Sequence, residues 1–124
     1  MLIVNDDCFI LMGLKERFKS NFNILSAENG YTAIREFQKK GKNYFAFIIM
    51  DINMPIMGGI EASQKIYDLL RDRHVQSHIS RSWENDDEVI TKMIAYTSDL
   101  SEIAINDIMN RGKFNNILYS LSDS

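Results

Sequence analysis

Cysteine and proline are almost absent from this sequence, Cys8 and Pro55 being the single examples in 124 residues. One cysteine can close no intrachain disulfide and build no thiolate cage, which removes the stapled secreted scaffolds and suits a reducing compartment. A cytoplasmic location is expected, with Cys8 read as a small buried apolar residue. Long apolar runs are missing too. None approaches the roughly 20 residues of a membrane-spanning helix, and the first residues lack the basic-then-apolar layout of a signal peptide, so no membrane is expected as a partner. Nor is there an excess of positive charge. Fourteen Lys plus Arg stand against seventeen Asp plus Glu, a net charge of −3, which leaves no electrostatic footprint for nucleic acid. What is present is ordinary: 45% hydrophobic and 25% charged residues match a folded globular protein, and the length suits a single domain over residues 1–124.

Short apolar runs alternate with helical periodicity along the chain. Leu2 to Val4 reads as a strand stopped by Asn5, Asp6 and Asp7, and Leu11, Leu14 and Phe18 then mark one face of a helix from Cys8 to Ser20. Asn23 to Ala27 is a second strand. Asn29-Gly30 makes a turn, and a helix carrying Ile34 and Phe37 ends at Lys39-Lys40-Gly41, where cations and glycine suit a C-terminus. Phe45 to Met50 holds no polar residue, which for a strand implies burial on both faces and therefore a parallel sheet covered by helices. After the loop from Asp51 to Gly59, Ala62, Ile66, Leu69 and Leu70 pattern a helix ending near Arg73. Met93 to Tyr96 is a fourth strand ending at Thr97; Ser101 to Arg111 is a helix with Ala104, Ile105, Ile108 and Met109 on one stripe; Ile117 to Leu121 is a fifth strand. The expected fold is α/β, a doubly wound five-stranded parallel sheet. The polar, unpatterned stretch from His74 to Lys92 is long for a connection and reads as a surface insertion. The sequence stops directly after the fifth strand, so no final helix is evident and an apolar face is expected to stay open, which points either to a fragment of a larger protein such as a hybrid kinase or to a face covered by association in a homodimer.

In open α/β sheets ligands bind beyond the carboxyl ends of the strands. Strand one ends in Asn5, Asp6 and Asp7, strand three in Asp51, and strand four in Thr97 and Ser98. Carboxylates gathered at one edge repel unless a proton or cation compensates, and an oxygen-only ligand set points to Mg2+. Such an ion leaves positions for phosphate oxygens. Asp51 can then act as a nucleophile forming an acyl phosphate, with Thr97 as a hydroxyl donor. Asp7 can equally cap the first helix. His74 and His78 lack a carboxylate or cysteine to complete a metal set and are read as solvated.

The segment Phe47-Ile48-Ile49-Met50-Asp51-Ile52-Asn53-Met54-Pro55-Ile56-Met57-Gly58-Gly59 resembles the phosphoacceptor segment of response-regulator receiver domains. Leu2-Ile3-Val4-Asn5-Asp6-Asp7 is similar to that family's first strand and acidic pair, and Ile94-Ala95-Tyr96-Thr97-Ser98 to its fourth strand and switch hydroxyl. The resemblance implies a flavodoxin-like receiver fold and a phosphorelay role, with a histidine kinase or histidine phosphotransfer protein as partner. It implies Asp51 as phosphoacceptor and Thr97 as switch hydroxyl. Mg2+ would be held by Asp6, Asp51 and the backbone carbonyl of Asn53, with Asp7 a further candidate. Members of the family assist their own phosphorylation and dephosphorylation rather than turning over a substrate.

Three departures from the family pattern stand out. Asn5 takes the place of the first acid if Asp6 is the second, while a shift by one would make Asp6 and Asp7 the pair; both registers are open at this point. The family's lysine near the end of strand five is replaced by Tyr119, and Asn116 stands at the aromatic switch position. The alternative is therefore a pseudo-receiver, a protein-interaction module without stable phosphorylation. A haloacid-dehalogenase-like phosphatase needs a second acid two residues after its nucleophile, where this chain has Asn53.

Overall fold

The computed structural model describes residues 1–71 and 91–119. The elements run β1 (Leu2–Val4), α1 (Cys8–Phe18), β2 (Leu25–Ala27), α2 (Gly30–Lys40), β3 (Phe47–Asp51), α3 (Gly59–Arg71), β4 (Lys92–Thr97), α4 (Glu102–Arg111) and β5 (Asn116–Tyr119). All strand pairs are parallel, in the order β2-β1-β3-β4-β5. Only the β1–β2 connection runs toward one edge; the later three run the other way. With right-handed crossovers, α1 falls on one face of the sheet and α2, α3 and α4 on the other.

The central strand is buried as its unbroken apolar run requires. Ile48 and Met50 pack with Leu2, Val4, Phe37, Ile66 and Leu70 under α2 and α3, while Ile49 packs with Ile3 and Leu14 under α1. Caps start three helices where the sequence offers a side-chain oxygen. Asp7 accepts from the N–H groups of Phe9 and Ile10, Asn29 from Thr32, and Ser101 from Ala104, each satisfying an otherwise unpaired donor of a first turn. The end of α4 is tied to the first half of α3, where Gln64 Nε2 donates to the Arg111 carbonyl and the N–H of Lys113, just past α4, donates to Ser63 Oγ at 3.1 Å.

The structure corrects several boundaries. Phe45 and Ala46 lie before the ladder, which begins where Phe47 pairs with Lys92; Phe45 is buried all the same, so the apolar run reported burial rather than pairing. Lys92 thus belongs to β4 and not to the insertion, whose residues 74–90 lie outside the described ones. So do Ser120, Leu121 and the residues after them, on which the absence of a final helix turned. Cys8 is exposed in the first turn of α1, against the expectation of a buried residue. Among the described residues no helix is long and apolar enough to cross a membrane.

Candidate functional site

The carboxyl ends of β1, β3 and β4 lie next to one another, and the side chains singled out in the sequence come to this edge. Asp51 is the last residue of β3, paired with Tyr96 of β4. Its Oδ1 lies 3.4 Å from the Asn53 N–H, which folds the loop back over the carboxylate. The Asp6 carboxyl, just past the end of β1, is within hydrogen-bonding contact of the Asp51 carboxyl. Burial first, and then this contact with Asp6, push the Asp51 carboxyl up to about 7 from an ordinary 3.8. Two carboxyls sharing a hydrogen bond need a proton between them, or a cation in its place.

The structure distinguishes the acids after β1. Asp6 is the residue in contact with Asp51, whereas one oxygen of Asp7 is committed to capping α1. Asn5 occupies the remaining position and is 1% exposed. Its Oδ1 accepts the Asp7 N–H at 2.9 Å, while its Nδ2 is buried with no partner. An unsatisfied buried amide donor costs about 1–3 kcal/mol.

Thr97 ends β4, one residue beyond the Asp51–Tyr96 pair, and is 2% exposed. Its hydroxyl accepts the Asp99 N–H at 3.0 Å and is not among the groups bonded to Asp51. Tyr119 pairs with Thr97 at the end of β5 and is 44% exposed. Lys113 is no stand-in for a strand-five lysine, because its Nζ sits 5.2 Å from the Tyr67 ring centre, before β5 begins.

The loop after Asp51 holds two features, the first at the glycine where the sequence reading ended the loop and the second missed by it. Gly59 opens α3 against the backbone of the site: its N–H donates to the Ile52 carbonyl, and a Cβ there would meet the Asp51 carbonyl oxygen at 2.2 Å. The second is Ile56, with φ 72° and the Met57 N–H bonded to the Pro55 carbonyl at 2.8 Å, a tight γ-turn centred on a β-branched residue. Glycine at position 59 was the one available signal; Ile56 gave none.

The sequence pattern of the response regulator receiver domain matches residues 1–100. This chain belongs to the response regulator receiver family. The receiver is 28% identical over 95 residues to the autoinducer 1 sensor kinase/phosphatase LuxN of Vibrio campbellii, covering 75% of this chain and 11% of that protein. It is 36% identical over 75 residues to histidine kinase P4 of Formosa agariphila, covering 60% of this chain and 5% of that protein. The chain thus spans only a small part of the relatives it matches. Among solved structures, the receiver domain of a Pseudomonas aeruginosa sensor histidine kinase, with a magnesium ion in its active-site cleft, superposes at TM-score 0.71. It shares 19% identity over 97% of this chain and 83% of that one. CheY of Borrelia burgdorferi, in complex with CheX, BeF3 and magnesium, gives 0.70 at 22% identity over 96% and 75% of the two chains. These likenesses establish the five-stranded receiver fold.

The residues of this receiver fit a hard divalent cation. Two touching carboxyls, one of them held protonated to about pH 7, are a donor set short of positive charge. Among the described residues no group of three or more His, Cys, Asp or Glu is placed to hold a metal. The ligands that the resemblance implies are Asp6, Asp51 and the Asn53 carbonyl, which water would complete.

Proposed function

We propose that this receiver domain takes a phosphoryl group from a phosphohistidine onto Asp51, with Mg2+ as cofactor, and relays it in two-component signalling. The observation that carries the reading is the contact between the Asp6 and Asp51 carboxyls at the crest of the buried central strand. An ionised Asp51 oxygen attacks phosphorus, the P–N bond to the donor imidazole breaks, and the departing imidazole keeps the bonding pair and takes up a proton. A bound Mg2+ supplies the positive charge that keeps both carboxyls ionised and offsets the phosphoryl oxygens. Asp51 must shed its proton to attack, so Asp6 contributes by holding the cation that makes this favourable near neutral pH.

Thr97 reports the modification in this reading. Its hydroxyl, which accepts the Asp99 N–H and directs its proton to the Asp99 carbonyl at 3.5 Å, gives that proton to a phosphoryl oxygen instead and draws the β4–α4 loop with it. The donor is a histidine kinase or histidine phosphotransfer protein, which the similarity to sensor kinases supports, and this chemistry calls for a cytoplasmic location. The whole chain is read as one receiver domain.

Incubating the protein with Mg2+ and acetyl phosphate, then weighing it intact, tests the assignment. One added phosphoryl group is expected on the native chain and none on Asp51→Asn. An unmodified native chain defeats the reading. A second reading, an interaction module without stable phosphorylation, is favoured by Tyr119 standing where a lysine is expected. It would be selected by that same negative result if a binding partner were still retained.

A further inference from the structure

Asn5 is the one described residue whose buried side-chain polar atom has no partner. The orientation of its amide is fixed, because Oδ1 accepts the Asp7 N–H; turning the group over would set N–H2 against N–H, donor against donor. An aliphatic side chain of the same shape would avoid burying an unpaired donor altogether. The position of Asn5 explains why a donor is useful there. Val4 pairs with Met50, so Asn5 and Asp51 follow side by side at the ends of adjacent parallel strands, roughly 4.8 Å apart across the sheet. Paired residues of parallel strands share a face, as Ile3 and Ile49 do under α1.

Charge at the site points the same way. Among the described residues the charge acting on Asp51 is that of Asp6, a second anion, and no cation contributes. Tyr119 brings no charge at the end of β5, and Lys113 is held over Tyr67. A phosphoryl group brought onto Asp51 would meet two acids, no ammonium and one amide. A carboxylate at position 5 would have added a third negative charge beside the incoming anion; the amide adds none and offers two N–H bonds.

We propose that Nδ2 of Asn5 is a hydrogen-bond donor to the phosphoryl group carried by Asp51, a neutral donor serving a site that has no lysine. The proposal rests on Asp51 being the phosphoacceptor. It also implies a cost: with an amide where an acid would strengthen cation binding, Mg2+ is held loosely until the phosphoryl group arrives to share it.

Two affinities on the full chain test this, each followed by amide NMR shifts: Mg2+ alone, and beryllium trifluoride, a tetrahedral phosphoryl mimic, at saturating Mg2+. Asn5→Leu keeps the shape and removes the donor. Mg2+ affinity should stay within about twofold, while affinity for the mimic falls about tenfold or more. Asn5→Asp adds one negative charge and should move the two affinities in opposite directions, Mg2+ about tenfold tighter and the mimic weaker. A residue that merely supports the fold would weaken both together, so this variant carries the test even if Asn5→Leu fails to fold. Native-like mimic binding by Asn5→Leu, or parallel changes in Asn5→Asp, overturns the proposal and leaves the Asp51 reading standing. A native chain that binds neither probe removes both.

Discussion

Ile56 is 79% exposed, so its side chain gains little from burial, yet its backbone sits at a φ of 72° that β-branched residues rarely adopt. Such strain costs about 1–3 kcal/mol, and the neighbouring Pro55 and the Met57 N–H bond hold the turn in place against it. Ile56→Gly removes the strain at an entropic cost of about 0.5–1 kcal/mol. A net gain of about 1 kcal/mol is expected, read as a rise in melting temperature of about 3–5 °C; a fall would show that the Ile56 side chain makes a contact worth more than the strain. Asp51 carries the other residue-scale prediction. Without metal its carboxyl titrates near 7 in the folded chain against 3.8 as the ordinary value, so the folded state holds more protons between those pH values. Stability from this group is therefore full in acid and is lost as pH rises through about 7. A carboxyl carbon titration should place its midpoint there, and Mg2+ or Asp6→Asn should lower it. A midpoint near 4 without metal would remove the carboxyl contact on which the site is built.

α3 is the element that fixes the loop over Asp51, because Gly59 lets its first turn lie against the Asp51 and Ile52 backbone. Gly59→Ala sets a Cβ against atoms that cannot yield, 2.2 Å from the Asp51 oxygen and 2.9 Å from Ile52 Cα. The helix must retreat, at about 1–3 kcal/mol in stability. Phosphorylation by acetyl phosphate should slow as well, since the loop carrying the Asn53 carbonyl moves with it. Unchanged stability and rate would show that α3 does not set that loop. What was legible in the sequence divides at this scale. The five strands, the four helices and the strand ends bearing Asp6, Asp51 and Thr97 follow from apolar periodicity and polar stops, because burial and solvation act locally on each segment. The exact ladders did not follow: Phe45 is buried without pairing, and β4 begins at Lys92, since strand limits depend on a partner strand distant in the chain. Which acid touches Asp51 was equally beyond reach. Only the fold shows that Asp7 spends an oxygen on the α1 cap while Asp6 meets Asp51.

The two faces of the sheet are unequally covered. Under α2 and α3 lies a continuous core that includes Leu2, Phe37, Ile48, Met50, Ile66 and Leu70, all at most 1% exposed. Under α1, among the described apolar residues, Ile3, Leu14 and Ile49 are the buried ones, and Ile94, Tyr96 and Leu118 are half-buried against them. A side chain still in partial contact with water loses less on truncation, both in transfer free energy and in the cavity it leaves. Ile66→Ala should therefore cost about 3 kcal/mol and Leu118→Ala about 1 kcal/mol in urea unfolding. Equal costs would mean that this face of β4 and β5 is covered as fully as the other. If a second copy covers this face, the cost of Leu118→Ala depends on concentration. Association stabilises the native state by mass action, so the native chain gains stability as it is concentrated and the variant gains less. Repeating the unfolding at dilutions a hundredfold apart separates the cases: midpoints that do not move with concentration exclude a homodimer through this face, whichever truncation costs more.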